Sequence, residues 1–258
     1  MIDFERCYFT ADDWGISPGV NDGILELVEK GVVRRVSLMA NGKYLSHGLS
    51  DLLRFDQLGL GLHFNLTFGT PLNQGVTSTR FLCTGNQDNF GNRSELFWKS
   101  LRYQNRREFW EEIRGELRAQ IEALRRLSVP LRHFDGHEHI HLVPGLISHT
   151  ALVFREFSIR ETRLPWNEEL LFNRKFPVAL LSLWQRKAIL RHFQVRPFYY
   201  PSLSLMKDKT RFEQKLHTMQ DFEILVHPAR TMDFESLRIE DPYRLERVEE
   251  YQSLLALT

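Results

Sequence analysis

The chain has 258 residues, 42% of them hydrophobic, with 34 basic and 33 acidic side chains and a formal charge of +1. That length suits a single core of the kind α/β barrels build. The even charge balance argues against an electrostatic footprint for nucleic acid or an anionic membrane. Two cysteines, Cys7 and Cys83, argue against a disulfide framework, and Cys7 in its apolar run reads as a buried small hydrophobe.

In chain order, the first signal is at the N-terminus. Acids stand where a signal peptide would carry only basic charge. The longest apolar run, Phe176 to Trp184, is too short to span a bilayer, so the expectation is a soluble cytoplasmic protein. A β-prone run from Arg6 to Thr10 breaks at Ala-Asp-Asp-Trp-Gly. Ser17 and Pro18 then read as an N-cap and first-turn pair, with Val20, Ile24, Leu27 and Val28 at helical spacing and Gly31 as the stop. Val36 to Met39 predicts a second strand, Tyr44 to Phe55 a weaker helix, and Leu58 to Leu66 a buried strand carrying His63.

From Thr67 to about Ser94 there is no periodicity, the mark of a long functional or mobile loop. Arg106 to Leu127 is the clearest helix, with Phe109, Ile113, Leu117, Ile121 and Leu124 on one face. Leu131 to Phe134 is a strand, Pro144 to Phe157 a helix and Ile159 to Leu164 a strand. Helices at 178–193, 212–219 and 244–257 alternate with short strands at 198–200 and 222–226. Alternating strands and helices predict a parallel α/β sheet, open or closed into a barrel, in a single domain over residues 1–258.

The unusual polar residues share one placement. Asp12 and Asp13, His63, Asp135 and His137, Arg163, and His227 each stand at the carboxyl end of an apolar run. In an α/β barrel those ends meet on one rim, where active sites are built. His133-Phe-Asp-Gly-His137-Glu-His139-Ile-His141 is the sharpest local signal. Histidines at alternate positions with carboxylates between them suit a transition-metal site better than an exposed His-rich loop, though spacing does not say which histidine binds.

Asp12-Asp13 precedes the N-cap by several residues, which weakens a helix-capping role. One carboxylate binding an ion while its neighbour acts as general base is the functional alternative. His63 and His227, taken singly, read equally as core histidines. Asn65 shares the parity of His63 and is placed to orient a ligand or bind substrate. Nucleophile chemistry finds no support: there is no Gly-x-Ser-x-Gly elbow, no phosphate-cradling glycine loop and no cysteine in a polar setting.

Four segments together resemble the YdjC-like carbohydrate deacetylases, which include chitooligosaccharide deacetylases. They are Thr10-Ala-Asp-Asp-Trp-Gly-Ile-Ser-Pro-Gly-Val-Asn21, Gly61-Leu-His-Phe-Asn-Leu-Thr67, His133 to His141 with Pro144 following, and Val226-His-Pro-Ala229. They occur in the family's order across nearly the whole chain. The resemblance implies an irregular, TIM-like (β/α) barrel with a metal site at the carboxyl ends of its strands. It implies a divalent ion held by Asp13, His63 and His137, with Asp12 as general base and His227 as the acid for the leaving amine. It places His139, His141 and Arg163 around the ligands or the substrate. Asn65, by its parity with His63, and Asp135, by its strand-end position, are candidates for the same surroundings, and Trp14, Trp166, Phe64 and Tyr199 are stacking candidates that serve equally well as core residues.

The implied reaction is hydrolysis of the linear amide C–N bond of an N-acetylated amino sugar or oligosaccharide, releasing acetate. Three departures, Trp14 for the usual Phe, Gly136 for a common Ser and Glu138 for a third consecutive His, together with the long loop after Thr67, leave the substrate open. An acetylated glycolipid or hopanoid-type lipid is one alternative. A lapsed sugar-binding or regulatory protein on the same scaffold is another, and a structural metal site a third, which three ligands and an open position disfavour. The resemblance favours Mg²⁺, whereas two imidazoles suit Zn²⁺. The oligomeric state is open, a homodimer included.

Overall fold

The structure is a computed structural model that describes residues 8–73, 81–83, 89–165, 185–219, 222–231 and 244–258. Its seven strands follow chain order in a closed barrel. They are β1 (Tyr8–Trp14), β2 (Val33–Leu38), β3 (Gly59–Phe64), β4 (Leu131–Gly136), β5 (Glu161–Pro165), β6 (Gln194–Tyr199) and β7 (Glu223–Val226). The helices between them are α1 (Pro18–Glu29), α2 (Leu49–Leu52), α3 (Arg93–Arg102), α4 (Arg107–Arg126), α5 (Leu146–Glu156), α6 (Leu203–Lys207), α7 (Lys209–Thr218) and α8 (Arg244–Leu255). Residues 185–192 are also helical. The chain divides into two compact units, Met1–Gly61 with Arg196–Thr258, and Leu62–Val195.

In the first unit, β1 lies between β2 and β7, parallel to both, and β6 runs parallel beside β7. Phe9, Ala11, Val36 and Leu225 are completely buried, as expected for strands covered on both faces. Helix α1 starts where its residues dictate. Ser17 Oγ accepts from Val20 N at 3.2 Å, Pro18 opens the first turn, and Gly31 after the last turn has φ 72°. Its buried face carries Val20, Ile24, Leu27 and Val28. Two glycines let the helix approach the chain leaving β7: a Cβ on Gly23 would stand 2.7 Å from Arg230 N, and one on Gly19 2.4 Å from Thr231 O.

In the second unit, α4 buries the five apolar residues of its predicted face and packs on α5. β4 and β5 pair in parallel, His133 opposite Glu161. Behind them Phe134 stacks on Phe154 at 3.7 Å, and Phe193 and Phe64 meet Phe154 edge-on. Truncating one of these rings to alanine is worth about 3–5 kcal/mol.

Several expectations need correction. β1 does not stop at Thr10 but continues through Asp12 and Asp13 to Trp14. Of the helix expected over 44–55, only α2 is helical. Residues before it turn around Gly48, whose left-handed φ of 71° stops a longer helix forming. Helix α3 was not anticipated, although its cap is legible: Asn92 Oδ1 accepts from Glu95 N at 3.0 Å. Cys7, Trp166, the run 176–184 and part of the loop 67–94 lie outside the described residues. Among the described residues no helix is long and apolar enough to cross a membrane.

Candidate metal and acid–base centre

The polar residues of the first unit gather where β1 and β7 end. Between Ala11 and Trp14 the register of β1 against β2 slips, so three steps on β1 face two on β2. The slip is a bulge, and Asp13 takes its left-handed position with φ 70°. Aspartate tolerates this conformation better than most residues, yet it costs on the order of 1 kcal/mol. The bulge breaks the alternation of the strand at two successive carboxylates, both of them buried because β1 is covered on both faces. The turn that follows is pinned by Asn21. Its Oδ1 accepts from Gly15 N at 2.7 Å, and its Nδ2 donates to the carbonyls of Tyr44 and His47.

Each carboxylate has a cationic or protonatable neighbour. Arg247 Nη2, on α8, donates to Asp13 Oδ2 at 2.6 Å. His227, just past β7, brings Nε2 to 3.9 Å from Asp12 Oδ2. The same helix holds the backbone of that turn: Glu250 Oε2 accepts from His227 N at 2.6 Å, and Ala229 N donates to Arg247 O at 3.1 Å. Burial pushes the Glu250 carboxyl up to about 7, against the opposing pull of the His227 N–H, Arg247 and the Tyr200 hydroxyl.

The second unit gathers its polar residues at the ends of β3 and β4. His63 Nδ1 is hydrogen-bonded to Asp135 Oδ1, both side chains being buried. Arg163 Nη1 approaches the other oxygen, Oδ2, at 3.3 Å. Burial alone would raise the Asp135 pKa; the positive charge of Arg163 and the interaction with His63, with a smaller contribution from His133, hold it well below the ordinary range. Asp135 therefore stays a carboxylate, accepts from His63 Nδ1–H, and leaves Nε2 as the basic nitrogen. A metal-binding imidazole carries this kind of carboxylate partner, which fixes its tautomer and its orientation. The donor chemistry thus fits a divalent ion, and the chain carries an Asp/His group able to hold one.

His137 follows β4 directly. Its ring centre is 5.4 Å from that of His63 and 6.0 Å from Phe68. The chain turns sharply here, with Glu138 and His139 both left-handed at φ 49° and 58°. Gly136 allows it: a Cβ there would stand 2.8 Å from Ile140 Cγ1 and 2.9 Å from His141 N. His141 is fully buried. Desolvation, followed by the Arg163 charge, pushes its pKa down to about 3, so it is a neutral imidazole.

The remaining predicted residues fall in different places. Asn65 closes its own turn: Oδ1 accepts from Thr67 N and Phe68 N at 3.0 Å, and Nδ2 donates to Phe68 O. Trp14 is wholly buried and donates to Leu45 O at 3.0 Å, and Phe64 is wholly buried against Phe154, so both rings fill the core. Tyr199, also buried, sits in β6. Sequence reasoning missed Arg247 and Glu250, which a charge-rich helix disguises as solvated residues. It also missed a polar stripe on α4. Gln120 bonds both backbone groups of Asn65, Glu116 accepts from Leu72 N and Asn73 N, and Glu112 from Phe81 N and Leu82 N. Their spacing of four, beside the apolar face, was the available signal.

The chain is similar to known proteins along nearly its whole length. The family model described as YdjC-like protein matches residues 6–257. A carbohydrate deacetylase of Brevibacillus brevis is 30% identical over 222 residues, covering 85% of this chain and 79% of that protein. One from Danio rerio is 32% identical over 66% of this chain and 53% of its own length. Carbohydrate deacetylase 1 of Listeria innocua is 36% identical over 52% of each. The chain thus spans most of the first relative and about half the length of the other two. A crystal structure from Enterococcus faecalis V583, of a protein assigned to cellobiose-phosphate cleavage, superposes with a TM-score of 0.71 at 19% identity, over 96% of this chain and 89% of that one. It shares the fold.

Proposed function

The chain belongs to the YdjC-like protein family, and from that premise we propose that it is a metal-dependent hydrolase that removes the acetyl group from an N-acetylated sugar. The observation that carries the reading is the His63–Asp135 pair, a buried imidazole whose carboxylate partner is held ionised by Arg163. Such a pair at a strand end has the form of a metal ligand with its orienting group. The named relatives are carbohydrate deacetylases, and this supports the substrate class. The family match runs through both compact units and supports reading residues 1–258 as one domain.

By motif position the ion is assigned to Asp13, His63 and His137, each at the carboxyl end of its strand, and a parallel barrel turns such ends to one rim. Bound there, a divalent ion supplies Lewis-acid chemistry to the acetamide carbonyl and to the attacking water. Asp12 takes the proton from that water as oxygen attacks the carbonyl carbon. Its carboxylate is buried and close to its proton-transfer partner, 3.9 Å from His227 Nε2. His227 gives a proton to the amine nitrogen, the C–N bond breaks, and acetate leaves. Glu250 and Arg247 hold the backbone on either side of His227–Ala229, so the acid sits on a braced turn.

The test is acetate release from N,N′-diacetylchitobiose after chelation and metal add-back, with Asp12→Asn as control. Metal-dependent release that disappears in the variant supports both the reaction and the base. Absence of release from protein that still binds the ion rejects this substrate. Adding back Mg²⁺ and Zn²⁺ separately decides the metal.

A further inference from the structure

The second unit carries a cavity of about 540 Å³ that the proposed reaction does not use. It opens between the end of α3, the start of α4, the start of α5 and the helical residues 185–192. Its volume is in the range of small-molecule sites, roughly 300–1,000 Å³. One wall is built tightly. The His149 imidazole lies flat on the Trp110 indole, centres 4.0 Å apart and planes 8° from parallel. Gly145, with φ 78°, lets the backbone press on the same indole, since a Cβ there would stand 2.9 Å from Trp110 Cη2. Trp110 Nε1 is fixed by the Gln104 carbonyl at 2.9 Å. The wall is therefore preformed rather than a gap between mobile side chains.

The chemistry of the lining is one-sided. Among the described residues no carboxylate lines the cavity, whereas Lys187 and Arg191 both do. Neither cation has an acidic partner among the described residues. Both histidines in the lining feel a positive field: His149 is pushed down by burial and then by Arg114, and His192 by burial and then by Arg191 and Arg155. Gln185, on the same helical stretch as both cations and itself 5% exposed, adds a carboxamide to the lining.

We propose that this cavity binds a phosphorylated sugar or polyol, with Lys187 and Arg191 on the phosphate and Gln185, Gln104 and Ser148 on the hydroxyl groups. Two unpaired cations beside amide and hydroxyl groups complement a phosphomonoester and its polyol better than a neutral sugar or a lipid. The cavity wall at Pro144–Gly145 directly follows the turn that begins at His137, so an occupant touches the chain segment that carries a proposed metal ligand. The site does not depend on the deacetylase reading, because no proposed catalytic residue lines it.

Calorimetric titration of the metal-loaded protein with glucose 6-phosphate, glucose and inorganic phosphate tests the proposal. The expected result is saturable one-to-one binding of glucose 6-phosphate at micromolar to low millimolar concentration, weakened at least about tenfold in the Lys187→Gln, Arg191→Gln double variant, the equivalent of 1.4 kcal/mol. Glucose should bind far more weakly. Gln185→Leu, which removes the carboxamide without touching charge, should weaken glucose 6-phosphate but not inorganic phosphate. Binding that is unchanged in the double variant places the ligand elsewhere and overturns the proposal. Equal binding of inorganic phosphate and glucose 6-phosphate would show an adventitious anion only, and no saturable binding at millimolar ligand would show no site.

Discussion

Arg247 and Asp13 form a buried ion pair at 2.6 Å, with both side chains 2% exposed. The guanidinium occupies Oδ2 of a carboxylate that the bulge in β1 has already turned out of strand geometry. An ion pair this deep contributes little net stability, but removing one partner leaves a buried charge unpaired. Its role is therefore orientation: it holds Oδ2 and so fixes the direction in which the carboxylate faces.

Arg247→Ala should cost about 3–5 kcal/mol in stability, the usual penalty for half of a buried pair. It should also weaken metal binding by about 10–100-fold, as loss of a group that orients a ligand does. Arg247→Lys keeps the charge and loses the fork, so it should recover more stability than metal affinity. Urea unfolding of metal-free protein and calorimetric metal titration separate the two effects. Metal affinity unchanged in both variants would remove Asp13 from the ligand set.

Asp135→Asn tests the other half of the centre. The amide cannot impose one tautomer on His63, and Arg163 loses its counter-charge. Metal affinity should fall by about 10–100-fold. If activity drops while affinity holds, Asp135 serves the substrate and not the ligand.

Gly136→Ser should fail for a steric reason. The added Cβ has backbone on one side, His141 N at 2.9 Å, and Ile140 Cγ1 on the other at 2.8 Å. The turn must open, at a cost of about 1–3 kcal/mol, and His137 moves with it. A lower thermal midpoint together with weaker metal binding is the expected pair of results; a variant as stable as the parent would show that the turn relaxes freely.

Glu250 predicts a pH dependence with a definite sign. Its ordinary value of 4.5 rises to about 7 in the folded chain, first through burial. Across that window the folded state keeps a proton that the unfolded state has released. Stability contributed by this group therefore falls as pH rises from about 4.5 to about 7 and is fully lost above it. The groups that oppose the shift, the His227 N–H, Arg247 and Tyr200, act on the same carboxyl, and Glu246 adds to it. Urea midpoints at about pH 5 and about pH 8 should differ less in Glu250→Gln than in the parent.

The sequence made the scaffold legible wherever a local rule acts alone. Ser17-Pro18 set the start of α1, and the spacing from Phe109 to Leu124 set the buried face of α4. The strand-end placement of Asp13, His63 and His137 could be read because apolar runs stop there. What escaped depends on partners distant in sequence. Asp12-Asp13 looked like the end of a strand because a bulge, invisible without β2, carries the strand through them. Arg247 and Glu250 looked like solvated helix charges because their partners lie in β1 and beyond β7. Glu112, Glu116 and Gln120 were hidden in the same way, since what they hold is loop backbone with no pattern of its own.

The Arg247–Asp13 bond joins residues 234 positions apart, and β1 pairs with β7 as well as with β2. At a synthesis rate of roughly 5–20 residues per second, Asp13 leaves the ribosome on the order of 10–50 s before its partner is made. During that interval β1 has β2 available but neither its other neighbouring strand nor the guanidinium that holds its acid. The emerging chain therefore exposes an apolar strand edge and an unanchored acid pair until α8 arrives, which makes the wait for α8 the stage most open to chaperone capture or aggregation.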